Sequence, residues 1–96
     1  MEPASPGPAG ARFRLTQHAR QRLLERDIEP AQVELALCRP FIARATAQPG
    51  VQELNVPITH AGRTRWLRVI AALDARLVLV VTAFWLGPGM APKEAA

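Results

Sequence analysis

The sequence predicts a small α+β domain: two N-terminal helices packed on a four-stranded antiparallel sheet. Three observations carry that reading. Apolar residues recur at helical spacing as far as Pro40 and alternate with polar ones beyond it. The alternating segments are joined by turns short enough to make successive strands antiparallel neighbours. Residues 1–11 and 87–96 are dominated by Pro, Gly and Ala, which predicts disordered, flexible tails around one domain at residues 12–86.

The first helix starts at Thr16, whose hydroxyl can cap it, and runs to about Asp27 with Ala19 and Leu23 on its inner stripe. Pro30 suits the first turn of a second helix, which carries Val33, Ala36 and Leu37 inward and ends at Pro40. Strand periodicity then takes over. Phe41 to Ala47 forms a first strand, followed by a turn at Pro49-Gly50. Leu54, Val56 and Ile58 alternate on a second strand, which turns at His60-Ala61-Gly62. Arg65 to Leu73 is the third, with Leu67, Val69, Ala71 and Leu73 on one face. Asp74-Ala75 makes a short hairpin into Leu77 to Trp85, a nearly all-apolar strand that reads as central or covered on both faces.

Composition bounds the function. With 96 residues and a single cysteine, Cys38, the chain has no intramolecular disulfide to lean on, which points to a reducing compartment. Cys38 itself is expected to be buried. No run reaches the ~18 apolar residues of a membrane span, and Met1 to Gly10 lack an apolar signal core, so a cytoplasmic location is expected. Two widely separated histidines and one cysteine offer no zinc spacing, and Asp27, Glu53 and Asp74 form no two-metal carboxylate pattern. The glycines fall in turns and tails rather than in a phosphate-binding loop, so neither metal nor cofactor is expected. The formal charge is +4, and among 12 basic residues Lys93 is the sole lysine. Arginine makes planar, bidentate contacts with phosphate, which suits an anionic partner, although GC-rich codons produce the same bias.

Several residues could carry chemistry. His18, Arg22 and Arg26 follow one another at i, i+4 and i+8 and share the polar face of the first helix, a spacing that also suits an ordinary solvated face. Thr82 falls on the face of the last strand shared by Val78, Val80 and Phe84, where its hydroxyl can donate to a phosphate or bond a neighbouring backbone group. Arg65 and Arg68 lie on opposite faces of the third strand, so at most one can join a given cleft. His60 sits in a turn beside Gly62 and Arg63 and is a second acid–base candidate. Solvation accounts most simply for Glu53 and Asn55, and core packing for Phe41, Trp66, Phe84 and Trp85.

The segment Leu15 to Ile28 resembles the opening helix of a family of short bacterial domains of unknown function. That family shows a histidine, an alanine, an arginine and a Glu-Arg-Gly-Ile helix end; here Glu25-Arg26-Asp27-Ile28 carries Asp in place of Gly. Val33, Ala36-Leu37 and Pro40 continue the likeness, and Val80-Val81-Thr82-Ala83-Phe84 is similar to the family's closing Val-Val-Thr strand. The family in turn looks like a branch of the metal-independent ribonuclease superfamily that includes barnase, EndoU, colicin tRNases and RelE. This resemblance implies a RelE/barnase-like fold with His18 at the catalytic histidine, Arg22 at a basic position and Thr82 at a late-strand hydroxyl. Arg26 is a weaker correspondence, because it can hold the helix end instead.

The expected function is therefore toxin-type RNA cleavage by internal phosphoryl transfer, without a metal. His18, or else His60, takes the proton of a 2′-hydroxyl, Arg22 and Arg65 stabilise the transition-state charge, and Thr82 holds a non-bridging oxygen. Arg26, Arg68 and His60 contribute to RNA binding. An antitoxin or immunity protein would cover the basic cleft, and a homodimer could cover the open sheet face. The runner-up is a non-catalytic module of the same fold that binds RNA or a protein.

Overall fold

A computed structural model describes residues 12–74 and 77–87. The expected tails at residues 1–11 and 88–96, and Ala75 of the expected last hairpin, lie outside the described residues. The elements are β1 (Arg12–Leu15), α1 (Gln17–Glu25), α2 (Pro30–Cys38), β2 (Ile42–Ala45), β3 (Val51–His60), β4 (Arg63–Asp74) and β5 (Leu77–Trp85).

Local chemistry sets both helices. Thr16 caps α1 by accepting the Ala19 N–H at 2.9 Å on its hydroxyl. The far end of α1 closes with the Ile28 N–H on the Leu23 carbonyl at 2.9 Å and the Asp27 N–H on the Leu24 carbonyl at 3.4 Å. That paired pattern needs a left-handed residue between, and Asp27 supplies it at φ 57°, where glycine would be unstrained. Ile28 and Leu23 are both buried, the apolar contact that accompanies this helix end. In α2, Pro30 takes the first turn and the Gln32 side-chain oxygen accepts the Glu29 N–H at 2.9 Å.

The sheet has five strands in the order β1-β5-β4-β3-β2. β1 runs parallel to β5, pairing Arg12 to Leu15 with Leu77 to Val80, while the remaining pairs are antiparallel. The two helices are inserted between β1 and β2. This overturns the expected four-stranded antiparallel sheet with both helices ahead of it. The reason is physical: Arg-Phe-Arg-Leu is too short for a two-residue period to stand out, and parallel pairing needs a partner some 65 residues away, beyond any local pattern. β5 therefore lies between β1 and β4, in keeping with its nearly continuous apolar run.

α1 packs on β5 and β1, and α2 on β3 and β4, so both cover the same face of the sheet. Beneath them Ala19, Val33, Ala36, Leu67, Val69, Ala71, Val80 and Ala83 are completely buried. Each Leu or Val so enclosed contributes roughly 1.5–3 kcal/mol, and this one face forms the core. Cys38, expected to be buried, is exposed at the end of α2.

A second correction concerns β5. Ile70 pairs with Thr82 but Ala71 pairs with Val80, so Val81 is an extra residue in the strand. The bulge reverses the alternation: Val78 and Val80 face the helices, whereas Thr82 and Phe84 share the opposite face with Arg68 and Ile70. Thr82 therefore does not share a face with Val78 and Val80, as uninterrupted alternation requires.

Candidate functional site

The sequence-predicted residues fall into two groups. The first lies along α1, whose helical spacing aligns His18, Arg22 and Arg26. The Arg22 Nε–H points at His18 Nε2 at 3.4 Å. The Arg22 guanidinium also pairs with Glu25 at 2.7 Å, and Gln21 donates to the same carboxylate at 3.1 Å. These contacts, the Arg22 hydrogen bond first among them, hold the Glu25 carboxyl below its usual range.

Arg26 ends the row and links it to β5, 56 residues further along the chain. Its Nη1 donates to the Ala83 carbonyl at 2.7 Å and lies 3.4 Å from the Thr82 hydroxyl oxygen. Its guanidinium carbon stands 5.9 Å from the centre of the Phe84 ring, and its own carbonyl accepts the Trp85 indole N–H at 2.9 Å. The β1 pairing stops at Val80, whose carbonyl takes the Thr16 N–H. Arg26 thus satisfies a carbonyl on the stretch of β5 that β1 does not reach, and it holds the helix end against the strand. Thr82 reaches the His18 row through this clasp.

The second group lines an open, solvent-facing cavity of about 960 Å³ between the α1–α2 connection and the β3–β4 hairpin. His60 and Arg63 flank the two-residue turn, whose central residues Ala61 (φ 53°) and Gly62 (φ 77°) both have the positive φ of a tight hairpin. Arg65 lies with its guanidinium 4.3 Å from the centre of the Trp85 ring. Asp27 and Glu29 form the opposite wall. Arg65, expected to stabilise charge beside His18, belongs here instead, together with His60, the alternative base. Arg65 is five residues along β4 from Ile70, the partner of Thr82, which is about 17 Å at strand rise, and it faces the other side of the sheet.

Arg68 joins neither group. Its Nη2 pairs with Glu53 at 3.2 Å and its Nε donates to the Asn55 carbonyl oxygen at 2.9 Å, while Asn55 donates to Glu53 at 3.0 Å and to the Ile42 carbonyl at 3.3 Å. Asn55 is completely buried, so solvation does not account for Glu53 and Asn55: they and Arg68 form a satisfied polar network on the face away from the helices.

Sequence reasoning did not find Arg63, Asp27 and Glu29 as wall residues of one cavity. One signal was legible: Asp27 stands where the resembling family has glycine. Among the described residues no group of three or more His, Cys, Asp and Glu side chains is placed to hold a metal ion, and no helix is long and apolar enough to cross a membrane.

Comparison with curated proteins and with solved structures found no significant match. A family model described as a domain of unknown function (DUF4258) matches residues 15–85, a span that takes in both helices, the α1 row and the cavity walls apart from Leu86 and Gly87. The chain belongs to the DUF4258 family.

Proposed function

We propose that this chain is a metal-independent, toxin-type RNA-cleaving domain acting in the cytoplasm, with its chemistry on the outer face of α1. The observation that carries this reading is the row His18–Arg22–Arg26 with the Thr82 hydroxyl 3.4 Å from the Arg26 guanidinium. The row sets a base and two cations along one helix face, and Arg26 joins its end to a strand hydroxyl. The His18 imidazole takes the proton of an RNA 2′-hydroxyl. The 2′-oxygen attacks the adjacent phosphorus, the 5′-oxygen departs, and the product carries a 2′,3′-cyclic phosphate. Arg22 and Arg26 face the negative charge that builds on the phosphoryl oxygens, with Thr82 donating to a non-bridging oxygen. The charge role first given to Arg65 passes to Arg26, because Arg65 lies too far along β4. A protein inhibitor with an acidic surface would cover this row.

One observation favours a second reading, a non-catalytic module that binds RNA. The guanidinium groups of Arg22 and Arg26 are both engaged within the chain, at 2.7 Å to Glu25 and 2.7 Å to the Ala83 carbonyl. Incubation with total RNA and tRNA in EDTA separates the two. Cleavage by the wild type, reduced roughly 10²–10⁴-fold in His18→Ala, supports the nuclease. Equal cleavage by wild type, His18→Ala and His60→Ala removes the proposed mechanism, and intact RNA with a gel shift supports the binding module.

A further inference from the structure

The cavity between the α1–α2 connection and the β3–β4 hairpin has opposite charges on opposite walls. Arg63 and Arg65 stand on the hairpin side, Asp27 and Glu29 on the helix side. Among the described residues none of the four forms an ion pair within 4.0 Å. The two walls therefore do not neutralise each other across the space. Between them Trp85 is held in one orientation, its indole N–H bonded to the Arg26 carbonyl at 2.9 Å and its ring carrying Arg65 at 4.3 Å. Among the described residues the two non-glycine residues at positive φ, Asp27 at the close of α1 and Ala61 in the hairpin turn, border this same space.

We infer that this cavity binds a nucleotide whose base carries an amino group. A volume of 960 Å³ accommodates such a ligand. Its phosphate lies against Arg63 and Arg65, which match phosphate oxygens as planar donors. Its ring lies along the flat surface made by Trp85 and the stacked guanidinium. The amino group donates to Asp27 or Glu29. Uracil has no amino group and meets the carboxylates with fewer donors. This site adjoins the Arg26 end of the α1 row through Trp85 but does not rest on RNA cleavage, since a protein that leaves RNA intact still has the cavity.

The test uses the full chain and its intrinsic fluorescence. The sequence has two tryptophans and no tyrosine, and Trp66 and Trp85 both border the cavity, so the signal reports on this place. AMP, GMP, CMP, UMP and inorganic phosphate are titrated separately. Saturable quenching by the amino-bearing nucleotides, with UMP weaker, is expected. Arg63→Ala should weaken all nucleotides roughly tenfold or more, the loss of a charge-assisted phosphate contact. Asp27→Asn keeps a residue tolerant of left-handed backbone and should erase the preference over UMP while binding persists. His18→Ala should bind as the wild type does. No saturable change with any nucleotide overturns the inference, and so does inorganic phosphate binding as tightly as the nucleotides. RNA trinucleotides identify the source of the ligand: tighter binding than the mononucleotide supports a residue held within RNA, equal binding a free nucleotide.

Discussion

The α1 row and the hairpin cavity are both arginine-rich, yet they use their charge differently. Along α1 each cation has a partner from the chain itself: Arg22 has Glu25 and Arg26 has a β5 carbonyl. In the cavity Arg63 and Arg65 face two carboxylates without pairing to them. The difference teaches that arginine content alone does not mark a binding surface. A guanidinium that satisfies a strand-edge carbonyl holds the fold together, whereas one with no ion-pair partner is available to a ligand.

The sharpest way to break this comparison is to remove one arginine from each region. Arg26→Ala should lower stability by about 2 kcal/mol, because a charged donor leaves a buried strand carbonyl and the Trp85 anchor loosens. Arg63→Ala, at an exposed hairpin tip, should stay within about 0.5 kcal/mol of the wild type. Urea unfolding followed by circular dichroism measures both. Equal losses would erase the distinction between a structural and an available arginine.

Asp27→Gly acts on both regions, since Asp27 closes α1 and borders the cavity. Relief of the left-handed backbone should raise stability by about 1 kcal/mol, while loss of the carboxylate weakens the preference for amino-bearing nucleotides. A thermal melt and the fluorescence titration on the same sample test this trade. A variant that gains stability and keeps full discrimination would shift the ligand role to Glu29.

The smallest effect concerns Glu25. Its folded pKa is depressed, chiefly by the Arg22 hydrogen bond, so its contribution is complete above the unfolded glutamate value and disappears as pH falls through the folded one. Glu25→Gln should flatten the loss of stability slightly in that acidic window and leave neutral pH almost unchanged. Because the pair is exposed, added salt should diminish the effect further. Urea midpoints across the acidic range would reveal it, and an unchanged slope would mean that the pair along α1 is no more than a solvated contact.

The sequence by itself determined what depends on near neighbours. Thr16, Pro30 and Pro40 mark the helix limits, and three- and four-residue spacing assigns Ala19, Leu23, Val33, Ala36 and Leu37 to the core. Alternation likewise assigns Leu54, Val56, Leu67, Val69 and Ala71 to the helix-covered face. Caps and periodicity act over a few residues, so they can be read along the chain. Only the tertiary structure decided the rest. β1 exists because β5 offers an edge, and Thr82 meets Arg26 because the Val81 bulge turns it to the far face and the helix end reaches that edge. Arg65 stacks on Trp85 rather than joining His18, because strand register sets it on β4 beside Trp85. Pairing partner, bulge position and register are relations between distant segments, set by which arrangement buries the apolar face of the whole sheet, and no local pattern encodes them.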